Sequence, residues 1–153
     1  MWRRTEVLRR MGIQCHDFLV SHRYLNAGQP WFCRRPHQHA DYFIVAWIMY
    51  HCDQVKLDGS VRTDSDPAPY TYSHAQKMRA SMTYFFGHLY GAGTVPWHEN
   101  DAGTMVGNPS ISPVVSRYMT RAGEQATSAR ALAPVWLFRL IAYLTHCITS
   151  GQA

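Results

Sequence analysis

Glutamate is scarce in this 153-residue chain, where Glu6, Glu99 and Glu124 are the only three, and the aspartates fall mostly in stretches rich in Gly, Ser and Pro. General acid–base chemistry needs carboxylates that converge on one pocket, and few are on offer. GxSxG, a Walker phosphate loop and HExxH are also lacking, so no local signature of a nucleophile, a phosphate cradle or a zinc-bound water is present. The four cysteines, Cys15, Cys33, Cys52 and Cys147, have no CxxC spacing, which argues against a zinc ribbon or a disulfide scaffold and for free thiols in a reducing compartment. The start, MWRRTEVLRRMGIQ, is basic but is followed by no apolar run, so it does not read as a secretory signal. The most apolar stretch, residues 134–148 (PVWLFRLIAYLTHCI), is interrupted by Arg139 and His146 and falls short of the ~20 residues a bilayer demands. It reads as a buried or partner-facing helix, and no membrane partner is expected. Period-2 alternation and internal repeats are missing too, which leaves little basis for a sheet or a solenoid.

What remains is helical. With 46% hydrophobic residues the chain can bury one core and is too short for two. Residues 1–37 are punctuated by Gly28, Pro30 and Pro36 and read as an irregular N-terminal extension with at most one helix, near Thr5 to Met11. From Gln38 to Gln54, Ala40, Ile44, Trp47 and Ile48 share one face and predict a core helix. A Gly-, Ser-, Asp- and Pro-rich loop follows over 57–72. Ser73 then reads as an N-cap, completed by Gln76 in a capping box, for a helix from His74 to about Tyr90 that Gly91 and Gly93 stop. The next twenty residues have no period and admit a short hairpin. Ile111, Val114, Val115, Tyr118 and Met119 predict a third helix with Ser112-Pro113 at its start and Asn108-Pro109 capping an extra turn. A fourth begins near Thr127 or Ser128 and is kinked or split at Pro134. The expected architecture is all-α, a single bundle of at least four helices with long loops, divided as an extension over 1–37, a helical domain over 38–133 and a C-terminal helix and tail over 134–153.

A formal charge of +5 and a pI near 9.2 favour a polyanionic partner, nucleic acid or an anionic membrane surface. Lys77 and Arg79 extend from the capped helix, Arg117 and Arg121 from the next, and Arg130 opens the fourth. These cations suit phosphates, and Ser73 and Thr127, as helix caps, would add backbone N–H groups, with His74 alongside. The alternative is that they are the solvated faces of ordinary amphipathic helices. Cys33 with His37 and His39, or His51 with Cys52, suggests metal, but no second ligand pair stands at a finger spacing and no metal or cofactor is expected. Trp97, after Pro96, suits base stacking or, better, core packing.

The order and spacing of residues 70–99 (YTYSHAQKMRASMTYFFGHLYGAGTVPWHE), 106–119 (VGNPSISPVVSRYM) and 121–132 (RAGEQATSARAL), with 46–60 (AWIMYHCDQVKLDGS) before them, resemble the N-terminal region of Crypton-like tyrosine recombinases of fungal mobile elements. The resemblance spans 46–132, about the middle half of the chain. It implies a core-binding domain, a helical bundle forming half of a clamp around duplex DNA, in a nuclear protein of DNA integration and recombination. The catalytic half of that family, which cleaves strands through a phosphotyrosyl intermediate, would be expected to begin where this chain stops at Ala153, so no tyrosine here is expected to be a nucleophile and the chain is expected not to be an enzyme. Two departures stand out: Met119 is followed almost directly by Arg121-Ala122-Gly123, where the family has a longer basic stretch, and the likeness ends after Leu132. The expected function is therefore duplex DNA binding without cleavage, with the 134–148 helix available to pair with a second copy or with a separate catalytic domain. A helical interaction module and a degenerate mobile-element remnant are the competing readings.

Overall fold

Four α-helices frame the described chain: α1 (Trp2–Ser21), α2 (Ala40–Cys52), α3 (Tyr72–Tyr84) and α4 (Pro113–Thr127). The structure, a computed structural model, describes residues 2–127, with 2–4 and 124–127 as backbone only. The all-α class is as the sequence predicts. α2 lies at the centre: nine of its thirteen residues are buried, Ala40, Asp41 and 43–49. A helix apolar on every side needs neighbours on every side, and α1, α3 and α4 each pack against it.

The N-terminal stretch departs from expectation. Residues 2–21 form a twenty-residue helix, and Met11, Cys15, Phe18 and Leu19 from it join Tyr24, Leu25 and Trp31 in the one hydrophobic core. Far from being an irregular extension, the first 37 residues supply a wall of the fold. The positions 11, 15, 18 and 19 are i, i+4, i+7 and i+8, a helical face in which buried Cys15 acts as a small hydrophobe. α1 ends in a left-handed turn. Tyr24 N–H donates to Leu19 O at 2.8 Å and Arg23 N–H to Val20 O at 3.0 Å, the pairing of a Schellman cap, with Arg23 at φ 61° where glycine usually stands.

The α3 cap also differs. Thr71, not Ser73, is the N-cap, its hydroxyl accepting from His74 N–H at 3.3 Å, so Ser73 lies inside the first turn and makes no capping box. α3 runs on into a π-helical segment, Phe85–Leu89, and stops before Gly91 at φ 77°. The aperiodic stretch after it contains a small antiparallel hairpin, β1 (His98–Glu99) with β2 (Met105–Val106). Gly107 follows at φ 98°, where a Cβ would lie 2.1 Å from Pro96 O. Asn108 then caps a 3₁₀ turn (Pro109–Ile111), and the Ser112 hydroxyl accepts from Val115 N–H at 3.1 Å at the head of α4, both as the sequence predicts. α4 runs through Thr127, so that residue is not the N-cap of a new helix; its side chain, Arg130 and the helix expected over 134–148 lie outside the described residues.

Candidate nucleic-acid interface

Two of the six described residues singled out in the sequence stand free for a ligand. Lys77 on α3 and Arg117 on α4 are exposed. Ser73 is exposed as well but holds no orphan N–H. Arg121 is half-buried. Arg79 faces inward: its Nε donates to Ser110 O at 3.0 Å and its Nη2 to Ser116 Oγ at 3.1 Å. That guanidinium ties α3 to the 3₁₀ turn and the first turn of α4, a structural role that withdraws it from phosphate contact.

Arg79 belongs to a buried polar network centred on Asn108, which is fully buried. Asn108 Nδ2 donates to Gly93 O at 3.1 Å and Thr83 O at 3.3 Å, while its Oδ1 accepts from Ser110 N–H at 3.1 Å and Ser110 Oγ at 2.8 Å. Thr83 Oγ1 and Ser110 Oγ are 2.8 Å apart. All four hydrogen-bonding positions of the amide are occupied, the condition under which a buried network rigidifies rather than weakens a fold.

His74 sits at the end of a chain of rings that joins three helix ends. Tyr70 stands 4.5 Å from His74 and 5.8 Å from His51, Tyr50 is 5.0 Å from His51, and His22 is 4.9 Å from Tyr50. The rings line two adjoining clefts of about 560 and 370 Å³. Burial depresses the His51 pKa below its ordinary value, with further depression from the charges of His74, Arg62 and His22. His74 is lowered likewise, by burial and then by Lys77. Arg62, at the floor of the larger cleft, donates to Asp53 O at 2.7 Å and to Tyr50 O, capping the C-terminal carbonyls of α2.

The metal alternatives find no geometric support: Cys33 donates its thiol proton to Arg35 O at 3.0 Å, His37 rests against Phe43, and no group of three or more ligating side chains forms among the described residues. Trp97 is buried beside the Asp41 carboxyl, as core packing requires. No described helix is long and apolar enough to cross a membrane.

Sequence reasoning passed over the arginines that α1 and the segment after it present. Arg9, Arg10, Arg23, Arg34 and Arg35 are all exposed. The signal that would have found them was the helical spacing of Leu8, Met11, Cys15, Phe18 and Leu19, which fixes the outward direction of Arg9 and Arg10. No protein-family model, curated protein or solved structure matches the chain.

Proposed function

We propose that the chain binds duplex DNA through its phosphates, largely without regard to sequence, and does not cut it. One observation carries the reading: among the described residues the exposed cations other than Arg9 meet no carboxylate, while most carboxylates are buried or already hydrogen-bonded. Among the described residues, Arg10, Arg23, Arg34, Arg35, Lys77 and Arg117 meet no carboxylate within ion-pair distance. Glu6 is held by Arg9, Asp53 by Tyr118, Asp58 by Ser60 and Asp66 by Lys56, and Asp41 is buried. The exposed carboxylates without such partners are Asp64, Glu99 and Asp101, in a loop and the hairpin, and Asp17 on α1, which approaches only His16, at 3.7 Å. The helical surface is thereby left positive, and a duplex neutralises such a surface by releasing condensed counterions.

The likeness of residues 46–132 to the core-binding region of Crypton-like recombinases supports the same reading and supplies the duplex as partner and the nucleus as location. If about four to six phosphates are neutralised, affinity falls on the order of a hundred- to a thousandfold between 50 and 200 mM salt. Fluorescence anisotropy of a labelled duplex at those two salt concentrations tests this, with a supercoiled plasmid beside it to detect nicking. A folded protein whose affinity ignores salt, or one that nicks the plasmid, refutes the proposal.

A further inference from the structure

We infer that the face meeting the duplex is built by α1 and the segment after it, not by α3 and α4; the inference rests on the DNA-binding reading above. Residues 1–37 hold seven arginines against Glu6 and Asp17, an excess equal to the whole formal charge of the chain, and from residue 38 onward the eight cations are matched by eight carboxylates. Lys77 and Arg117 therefore stand on a part of the molecule with no net charge, whereas the arginines of the first 37 residues stand on one that is strongly positive.

The structure gathers these arginines onto a built surface. Phe32 is seated against Gly12 of α1, where a Cβ would lie 3.3 Å from its ring and 2.6 Å from that of Phe85. Phe32 stacks on Phe85 at 4.5 Å, and its neighbour Trp31, 2% exposed, meets Phe86 edge to face at 5.3 Å. Arg34 and Arg35 follow Phe32 by two and three residues, so their Cα atoms lie within about 7 and 11 Å of its own. Arg9 precedes Gly12 by three residues, within about 5 Å along the α1 axis and about 60° around it, whereas Arg10, two before, projects from the other side of the helix. The hydrogen bond from Cys33 to Arg35 O fixes the turn between them. Three exposed arginines, Arg9, Arg34 and Arg35, are thus held around one aromatic junction, with Arg10 exposed on the other side of α1; of the two acids on that helix, Glu6 is matched by Arg9 and Asp17 faces His16.

A duplex suits this face better than a lipid surface. Interfacial helices insert contiguous large apolar side chains, but Met11, Phe18 and Leu19 of α1 are turned into the core, and among the described side chains of that helix only the separate Val7 and Ile13 are large, apolar and exposed. Arginine forks, in contrast, match phosphate oxygens in pairs.

Two charge-matched double variants of the full chain test the inference: Arg34→Gln with Arg35→Gln, and Lys77→Gln with Arg117→Gln. All four side chains are exposed, so thermal unfolding of both variants should match that of the unmodified chain. In duplex titrations the first pair should weaken binding roughly two-hundredfold at 50 mM salt and roughly twentyfold at 200 mM, the loss of two counterion-releasing contacts, while the second changes affinity less than about threefold. An equal loss in both, or a larger loss in the second, overturns the inference and leaves DNA binding standing. Failure of the unmodified chain to bind duplex at 50 mM salt refutes the DNA reading itself. Tighter binding to phosphatidylserine vesicles than to duplex assigns the face to a membrane and overturns the inference too.

Discussion

Removing the Asn108 amide should cost the fold about 3 kcal/mol. In Asn108→Ala the carbonyl of Gly93 loses its donor and Ser110 N–H its acceptor, both at 3.1 Å in the native chain. Thr83 O and Ser110 Oγ lose weaker or replaceable partners, since Ser110 Oγ keeps Thr83 Oγ1 at 2.8 Å. Each buried polar group left unsatisfied costs roughly 1–3 kcal/mol, so two orphans at mid-range, less some relaxation, give about 3. For a chain of this size that lowers the Tm by about 6–12 °C. Asn108→Asp sharpens the argument, because it keeps the acceptor and sets a second oxygen against the carbonyls of Thr83 and Gly93. At pH 7 it should be at least as damaging as the alanine. Burial raises the folded pKa of that new carboxyl above its unfolded value, so its penalty is full at neutral pH and shrinks as falling pH protonates the group and restores a donor. Urea unfolding of both variants and the native chain at pH 7 and pH 5 reads these differences directly. A cost below about 1 kcal/mol for Asn108→Ala, or an Asn108→Asp deficit that does not shrink at pH 5, would show that the network is solvated and that its closure does not hold the loop to α3 and α4.

Three further outcomes follow from single sites. Arg23→Gly should stabilise the chain by about 1 kcal/mol, because Arg23 adopts the left-handed conformation at the α1 cap that costs an L-residue roughly 1–2 kcal/mol; an unchanged or lower urea midpoint would contradict that reading of the cap. Gly107→Ala should unfold the protein or cost more than about 3 kcal/mol, as its Cβ would meet Pro96 O at 2.1 Å on a positive-φ backbone, and near-native circular dichroism melting would refute it. The pKa values of His51 and His74 are lowered by burial and by neighbouring positive charge, so folding favours their neutral forms: that stability is full above the ordinary value of 6.5 and is lost as pH falls below it, when the unfolded chain takes up protons first. Tm should therefore drop between pH 7.5 and 5.5, and a His51→Gln, His74→Gln variant should show a shallower drop than the native chain.

Local pattern made α2 and the head of α4 legible, since both depend on near neighbours: the Ala40, Ile44, Trp47, Ile48 face and the Ser112-Pro113 start need no distant partner to declare themselves. α1 was obscured because its core face is completed by a cysteine and is interleaved with Arg, His and Asp, which dilutes the apolar signal while leaving its spacing intact. Thr71 and Ser73 are equally good caps by chemistry. Tertiary docking chooses between them, through Tyr70 N–H bonded to His51 O at 2.8 Å and Tyr72 packed where Gly123 leaves room, so that α3 begins two residues early. Lys77 and Arg79 looked alike as helix cations, yet two residues turn the side chain by about 200° around the axis, and Arg79 falls in line with Thr83 on the side that faces Ser110. Asn108 reaches carbonyls fifteen and twenty-five residues away, and no local rule points to them.

The placement of α1 changes what the basic N-terminus is able to do. As a loose tail, seven arginines would bind phosphate only after losing side-chain and backbone freedom, at about 1–2 kcal/mol per backbone residue ordered. In the fold, Gly12, Phe32, Phe85 and Trp31 have already fixed the backbone that carries Arg9, Arg10, Arg34 and Arg35, so that part of the ordering is complete before any ligand arrives. The residues doing this are apolar and carry no charge themselves. Their positions in the core account for a cationic face that composition alone registers only as a charge of +5, and they link the packing of α1 against the π-helical end of α3 to the strength with which the surface should hold a polyanion.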